Sequence, residues 1–481
     1  MPSSSTSRSS AVPRPTAHEH DLVGPSVHGR LSHVLSIRTS RADPEAPIVI
    51  AHREGLIHAL GKAAELEHLV VLQYLYAAFS LKREGREGLA AGAAALVGRW
   101  HDELMHIAEQ EMLHLALVQN LLTAVGAGPH FGRANFPLPR RAYPTAVQMA
   151  LLPFGEATLR HFVFLERPEG MDVDDAEGFA ALEKANPLPG PGVGSLPSDD
   201  EIMPLPMDFQ TIGHLYRSIE DGFATLAERV GEERLFIGPA RAQATAEHFR
   251  WDELVPVSDL ASARRAIGTI VEQGEGARGD WRTAHFGRLV AMLDEYLAAR
   301  AADPAFEPTR PVLAAAVRPP ESGAPVAVIG DPFTARCVDL LNATYELLLQ
   351  ILSRYFAHSG ETNRQLGTLA WVAVELMEDA VAPLGELVTR LPIGPEHPGR
   401  RAGPMFELFY AVDYLLPHRE AAWALMEERL REVADLALRC RNACVVPTYL
   451  PPLARVADTL RTQADRLAAA RRRAVVRDRR A

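Results

Sequence analysis

The chain has 481 residues, 47% hydrophobic and 23% charged, with a formal net charge of −11 at pH 7. That length exceeds one compact core, so two or three domains are expected, and the acid excess argues against general nucleic-acid binding. No apolar run reaches the roughly 18 residues a membrane helix needs, and the Ser-rich start lacks the apolar stretch of a signal peptide, so a cytoplasmic protein is expected.

Residues 1–45, rich in Ser, Pro, Arg and His, read as a disordered or extended leader. Over residues 54–82 an amphipathic helix is expected, in which Glu65, Glu67, His68 and Gln73 interrupt a side of Leu, Val, Tyr and Ala. Glu67 stands where a structural helix wants an apolar residue, and an acid there must pair or bind a cation.

The second helix, residues 96–122, is the densest in chemistry. Glu103, His106, Gln110, Glu111 and His114 share one broad side at about 100° per residue. Glu111 and His114 project from adjacent turns and can meet one cation, as on the metal-bearing helices of carboxylate bundles. Glu103 and His106 form a rival pair about 12 Å away along the axis, and both pairs cannot serve one dimetal centre. The helix is expected to stop at Gly126 and Gly128, before Pro129.

Residues 129–207 read as a long, irregular, proline-rich crossover, with His161 and Phe162 packing on a short helix inside it. A third helix from about residue 209 puts Glu220 in an apolar stripe of Ile212, Leu215, Ile219, Phe223 and Leu226, with His214 toward an edge. After a strand or loop excursion, Ser258 and Asp259 offer N-caps for a fourth helix. Glu272 and Glu275 end it, where acids oppose the helix dipole and want a compensating cation. A polar loop then leads to His285, which opens a further helical run.

Residues 301–332 read as a linker and 333–481 as a second helical bundle, with helical stretches at about 334–357, 362–390, 417–441 and 450–475. Glu375, Glu378 and Glu407 are read there as surface or satisfied polar groups, and the basic stretch 471–480 as a solubilising helix end. The three cysteines, Cys337, Cys440 and Cys444, are too few and too odd in number for a disulfide framework. Cys440 and Cys444 read as buried small apolar residues, so any metal is to be held by oxygen and nitrogen.

Collected along the chain, Glu67, Glu111 with His114, Glu220, Glu275 and His285 match in count and order the ligands of a dimetal carboxylate bundle. Glu275 and His285 are too far apart for one helix face. Either the loop brings His285 into the site, or Glu272 and Glu275 make an all-carboxylate half. Gln73 and Tyr74 are candidates for orienting ligands, with core packing an equal alternative for Tyr74.

The strings ELEHLVVLQYLYAAFSL, EMLHLALVQNLLTAVG, LYRSIEDGF and AIGTIVEQGEG followed by AHF resemble the ferritin-like domain of the iminophenylpyruvate dimer synthase (VioB-like) family. The resemblance covers about residues 50–300, and the later AGPMFELFY and LPHREAAW segments resemble the helical region that follows that domain. It implies an all-α fold: a ferritin-like four-helix bundle with a long crossover over residues 46–300, then the second helical bundle. The ligand set suits two iron ions, or manganese, with O2 as cosubstrate in a non-haem di-iron oxidase or oxygenase. Its substrate is expected to be a small, amino-acid-derived imine or related metabolite of secondary metabolism. Iron storage or peroxide handling, and a non-catalytic helical scaffold, are the alternatives. A homo-oligomer or a partner enzyme of a biosynthetic pathway is expected, with no nucleic acid and no membrane.

Overall fold

The computed structural model describes residues 48–478, apart from 84–86, 139–142, 145–146, 172, 177–178, 180–208, 277–280, 321–324, 358–359 and 410–416. The leader, the later part of the crossover and the last residues of the basic tail lie outside the described residues.

Two long helices, α1 (Arg53–Ser80) and α2 (Ala91–Ala124), pack along each other. The pattern of α1 predicts an amphipathic helix, yet every residue from Leu66 to Ser80 is buried. Later parts of the chain cover its outer side: a Cβ on Gly385 or Gly403 would collide with Phe79 or Tyr76 of α1. His68 hydrogen-bonds Tyr345, more than 270 residues on. α1 is thus the central rod of the molecule rather than a surface helix. α2 ends as Gly126 takes a left-handed conformation (φ 88°) and its N–H reaches Thr123 O at 3.0 Å.

Within the crossover lies α3 (Glu156–Leu165), which packs on α6 (His285–Ala302). α4 (Ile212–Val230) and α5 (Leu260–Gly274) form another pair, α4 against α1 and α5 against α2. Asp259 starts α5 with a capping box, its carboxylate accepting from Ser262 N at 2.7 Å. Between α4 and α5 the chain makes short helical turns at Glu232–Leu235, Ala240–Ala242 and Ala246–Phe249 rather than strands. Asn120 of α2 pins this excursion, bonding Ala244 through both its amide groups.

The stretch read as a linker carries β1 (Val312–Leu313), β2 (Ala315–Ala316) and β3 (Ala327–Val328); β2 pairs with β3, and β1 with β4 (Arg401–Ala402), both in parallel. Then follow α7 (Pro332–Phe356) and α8 (Asn363–Leu376), which runs through a π-turn at Met377–Val381 into α9 (Ala382–Val388). α10 (Arg419–Ala443) and α11 (Leu450–Asp478) close the described chain as an antiparallel pair. The buried apolar residues of both halves join in one continuous core. Cys337 and Cys440 are buried and Cys444 is partly exposed, all three as free thiols. Glu378 is exposed, Glu375 partly so, and Glu407 accepts from Asn342 at 3.1 Å. Among the described residues no helix is long and apolar enough to cross a membrane.

Candidate metal centre

The helices bring two groups of buried acids and histidines together, each offering ligand atoms within 4.8 Å of one another: Glu67, Glu111 and His114, and Glu111, Glu166 and His285. Glu67 comes from the middle of α1, Glu111 and His114 from adjacent turns of α2, Glu166 from the residue that caps α3, and His285 from the first turn of α6. Glu111 belongs to both groups. Its Oε2 lies 3.0 Å from Nδ1 of His114, and its Oε1 lies 2.8 Å from Nδ1 of His285. The two imidazoles stack with centroids 5.6 Å apart. Each terminal acid is held by a buried phenol: Tyr216 of α4 donates to Glu67, and Tyr74 of α1 donates to Glu166 at 2.5 Å.

Burial and the charge of Glu111 push Glu67 up to about 8, and the same two causes push Glu166 well above the usual carboxylate range. Burial opposes ionisation of Glu111 as well, but His114 and His285 outweigh it and hold that carboxyl well below its usual value. Burial disfavours the His114 cation, but Glu111 and Glu67 reverse this and push the imidazole up to about 10. His285 is lowered, burial outweighing Glu111. Three acids therefore crowd one imidazolium in a dry site, a cluster short of positive charge.

The donor set fits hard divalent metals, since three carboxylates and two imidazoles offer oxygen and nitrogen and no sulfur. The geometry fits too. Nδ1 of His285, though close to Glu111 Oε1, makes no aligned hydrogen bond and is buried without a partner. A ring nitrogen and a carboxylate oxygen that lie side by side without facing each other are arranged as two ligands of one ion. The cavity beside Glu67, Glu111, His114 and Glu166 measures about 20 Å³ and is lined on its apolar side by Ile212, Ile270 and Val271. It has room for an ion or a water-sized molecule and not for an organic substrate.

Of the acids and histidines assigned from the sequence, Glu67, Glu111, His114 and His285 converge, and Glu220 and Glu275 lie outside the two groups. The side chain of Glu220 is 40% exposed and meets Arg264 of α5 at 3.3 Å. The phase of α4 presents Tyr216, one turn earlier, to the cage instead. Glu275 is buried beside the cavity, but its carboxylate accepts from Gly213 N at 2.7 Å and Glu169 N at 3.3 Å. The positive end of α4 supplies the compensation expected from a cation. Burial, partly offset by those two amides, pushes Glu275 up to about 7. Glu272 is exposed. Glu103 pairs with Arg288, and His106 is exposed beside Glu109 at 3.8 Å. Gln73 is buried and accepts from Ala150 N at 3.2 Å. His214 is buried rather than at an edge. His161 is buried too, 2.9 Å from Asp175.

Glu166 and Tyr216 went unread in the sequence. Glu166 follows the apolar run HFVFL, a signal masked by the Arg167-Pro168 step that makes it look like a turn residue. Gly213 is dictated by the site: a Cβ there would overlap the Glu275 carboxylate. Gly213→Ala is expected to cost about 1–3 kcal/mol, the penalty of a buried carboxylate losing its amide donor, read from denaturant unfolding. Glu275→Gln, which keeps an acceptor oxygen, should lose less; equal losses would count against this account.

Residues 60–294 match the ferritin-like family model. Just under half of the chain is thus similar to ferritin-like proteins. All the residues of the two candidate groups fall inside it, and a fold of this type suggests metal binding. Among curated proteins the chain is similar to dichlorochromopyrrolate synthase of Lentzea aerocolonigenes, 26% identical over 87% of this chain and 43% of that protein. It is also similar to 2-imino-3-(indol-3-yl)propanoate dimerase of Chromobacterium violaceum, 29% identical over 78% of this chain and 36% of that protein. The chain thus spans less than half the length of these relatives. Both agree with the resemblance read from the motifs. A crystal structure of a ferritin-like protein from Caulobacter vibrioides aligns with 68% of this chain and 96% of its own, at 18% identity and a TM-score of 0.40.

Proposed function

We propose that the ferritin-like domain holds two divalent ions, iron first and manganese as the alternative, in the Glu67–Glu111–His114 and Glu111–Glu166–His285 groups. On this reading the protein is an O2-dependent oxidase or oxygenase acting on a small, amino-acid-derived imine of secondary metabolism. The observation that carries it is Glu111, which turns one oxygen to each histidine. Bound ions would supply paired redox centres for dioxygen chemistry. The chain's own residues do the rest. Glu111 fixes the spacing of the two positions, Tyr216 and Tyr74 orient the terminal acids, and Ile212, Ile270 and Val271 line the cavity with apolar surface. The imine class rests on the name of one curated relative, the 2-imino-3-(indol-3-yl)propanoate dimerase. The same reading makes residues 46–300 the metal-binding unit and 333–481 a helical unit packed on it.

The small cavity favours a second reading, handling of iron or peroxide without an organic substrate. Under the first reading, the imine must bind outside the cage or part α4 from α5. Rapid mixing of the ferrous protein with O2, with and without indole-pyruvate imine, separates the two. The first reading expects the imine to speed decay of the absorbance transient; no change across a panel of such imines would sink it. In metal analysis, Glu67→Ala and Glu166→Ala are each expected to lose about one ion per chain where the intact protein holds about two.

A further inference from the structure

His285 has two ring nitrogens, and only one can face an ion. Its Nδ1 turns to Glu111, while its Nε2 lies 3.3 Å from Gln110 Oε1 on α2. The same Oε1 accepts from Arg288 Nη1 at 2.5 Å, and Arg288 sits one turn beyond His285 on α6. Arginine only donates, so the Gln110 atom facing it must be the amide oxygen rather than the nitrogen. An amide oxygen only accepts, so Nε2 of His285 must carry the hydrogen. In a neutral ring, Nδ1 is then left bare toward Glu111.

Arg288 is itself held. Its Nε donates to Glu103, whose side chain is 39% exposed, while that of Arg288 is 15% exposed and His285 is fully buried. Glu103, Arg288, Gln110 and His285 form a relay from solvent to the centre. The pair on α2 that rivalled Glu111 and His114 thus contributes its acid three contacts away from His285. The other half differs. Nε2 of His114 meets Gln273 Oε1 at 3.0 Å, and among the described residues no arginine backs Gln273.

We propose that Gln110, locked by Arg288 and Glu103, is a positioning residue that fixes His285 as an Nδ1 donor and so sets metal affinity in the Glu166–His285 half alone. The inference rests on the dimetal reading of the site. Loss of such an outer partner typically lowers metal affinity 10- to 100-fold.

The test is anaerobic titration of the metal-free protein with ferrous and manganous ions, for the intact chain, Gln110→Leu and Gln110→Glu. Gln110→Leu cannot accept a hydrogen bond and should weaken one of the two ions by about 10- to 100-fold while leaving the other unchanged. Gln110→Glu restores the acceptor and should bind both ions nearly as the intact chain does. Equal binding of both ions by Gln110→Leu overturns the proposal and leaves the dimetal reading standing. So does equal weakening of both ions in a variant whose circular dichroism is unchanged. No binding by the intact chain would defeat both. Ring-nitrogen NMR of the metal-free protein gives an independent check: His285 should carry its hydrogen on Nε2, and a majority of Nδ1–H form would overturn the proposal regardless of metal.

Discussion

Glu111→Ala is expected to empty both metal positions, taking the content from about two ions per chain to about none. The reason is that Glu111 alone belongs to both groups, with Oε2 facing His114 and Oε1 facing His285. Every other ligand serves one side. Its loss also removes the largest charge that holds His114 as a cation, and at the same time the charge that pushes Glu67 and Glu166 up. Glu111→Gln keeps the volume and one acceptor oxygen, but a neutral amide cannot bridge two cations, and it should fall nearly as far. Metal analysis of the purified variants after loading with ferrous ion is the measurement. Retention of both ions by Glu111→Ala would refute the shared-carboxylate arrangement, and retention of one would mean that only one group is a metal site.

Arg310→Ala should destabilise the protein by on the order of 3 kcal/mol, the scale for breaking a buried ion pair from one side. The Arg310 side chain is only 4% exposed and forks onto Glu87 at 2.6 and 2.9 Å. Its remaining N–H group reaches Phe79 O at 2.8 Å and Thr389 Oγ1 at 3.2 Å. One guanidinium therefore ties the end of α1, the loop before α2 and the turn after α9 to the stretch that leads into the second half. Removing it takes the forked guanidinium from the Glu87 carboxylate and leaves Arg83 N, at 2.8 Å, donating to it. Arg310→Lys should recover only part of the loss, because an ammonium lacks the planar fork that two carboxylate oxygens and a carbonyl require. Equilibrium urea unfolding reads the difference, and a loss below about 1 kcal/mol would show that the pair behaves as an exposed one.

Local chemistry made much of the molecule legible before any fold was known. Apolar spacing marked α1, α2 and the late helices, Asp259 marked the start of α5, and Gly126 marked the end of α2, since each depends on residues within a few turns of itself. Glu111 and His114 could be paired for the same reason, because three residues of helix put them on adjacent turns. The resemblance to a ferritin-like domain rested on such local strings in order.

Tertiary packing decided the remainder. Whether a helical acid faces a cage depends on the helix's rotation about its axis, and one residue turns that face by about 100°. That is why α4 delivers Tyr216 while Glu220 reaches Arg264 at its edge. Glu166 could enter only because α3 packs on α6 and aligns its end with the start of that helix, a contact across more than 100 residues of chain. Height along α2 separated Glu111 from Glu103, and the docking of α6 turned the unused Glu103 into the anchor of Arg288. The amphipathic pattern of α1 likewise could not reveal that later residues would close over its outer face. The sequence by itself determined the helices and one ligand pair, Glu111 with His114; the rotation and height of each helix in the packed bundle determined which distant acids met it, because those two quantities are set by contacts that no local stretch contains.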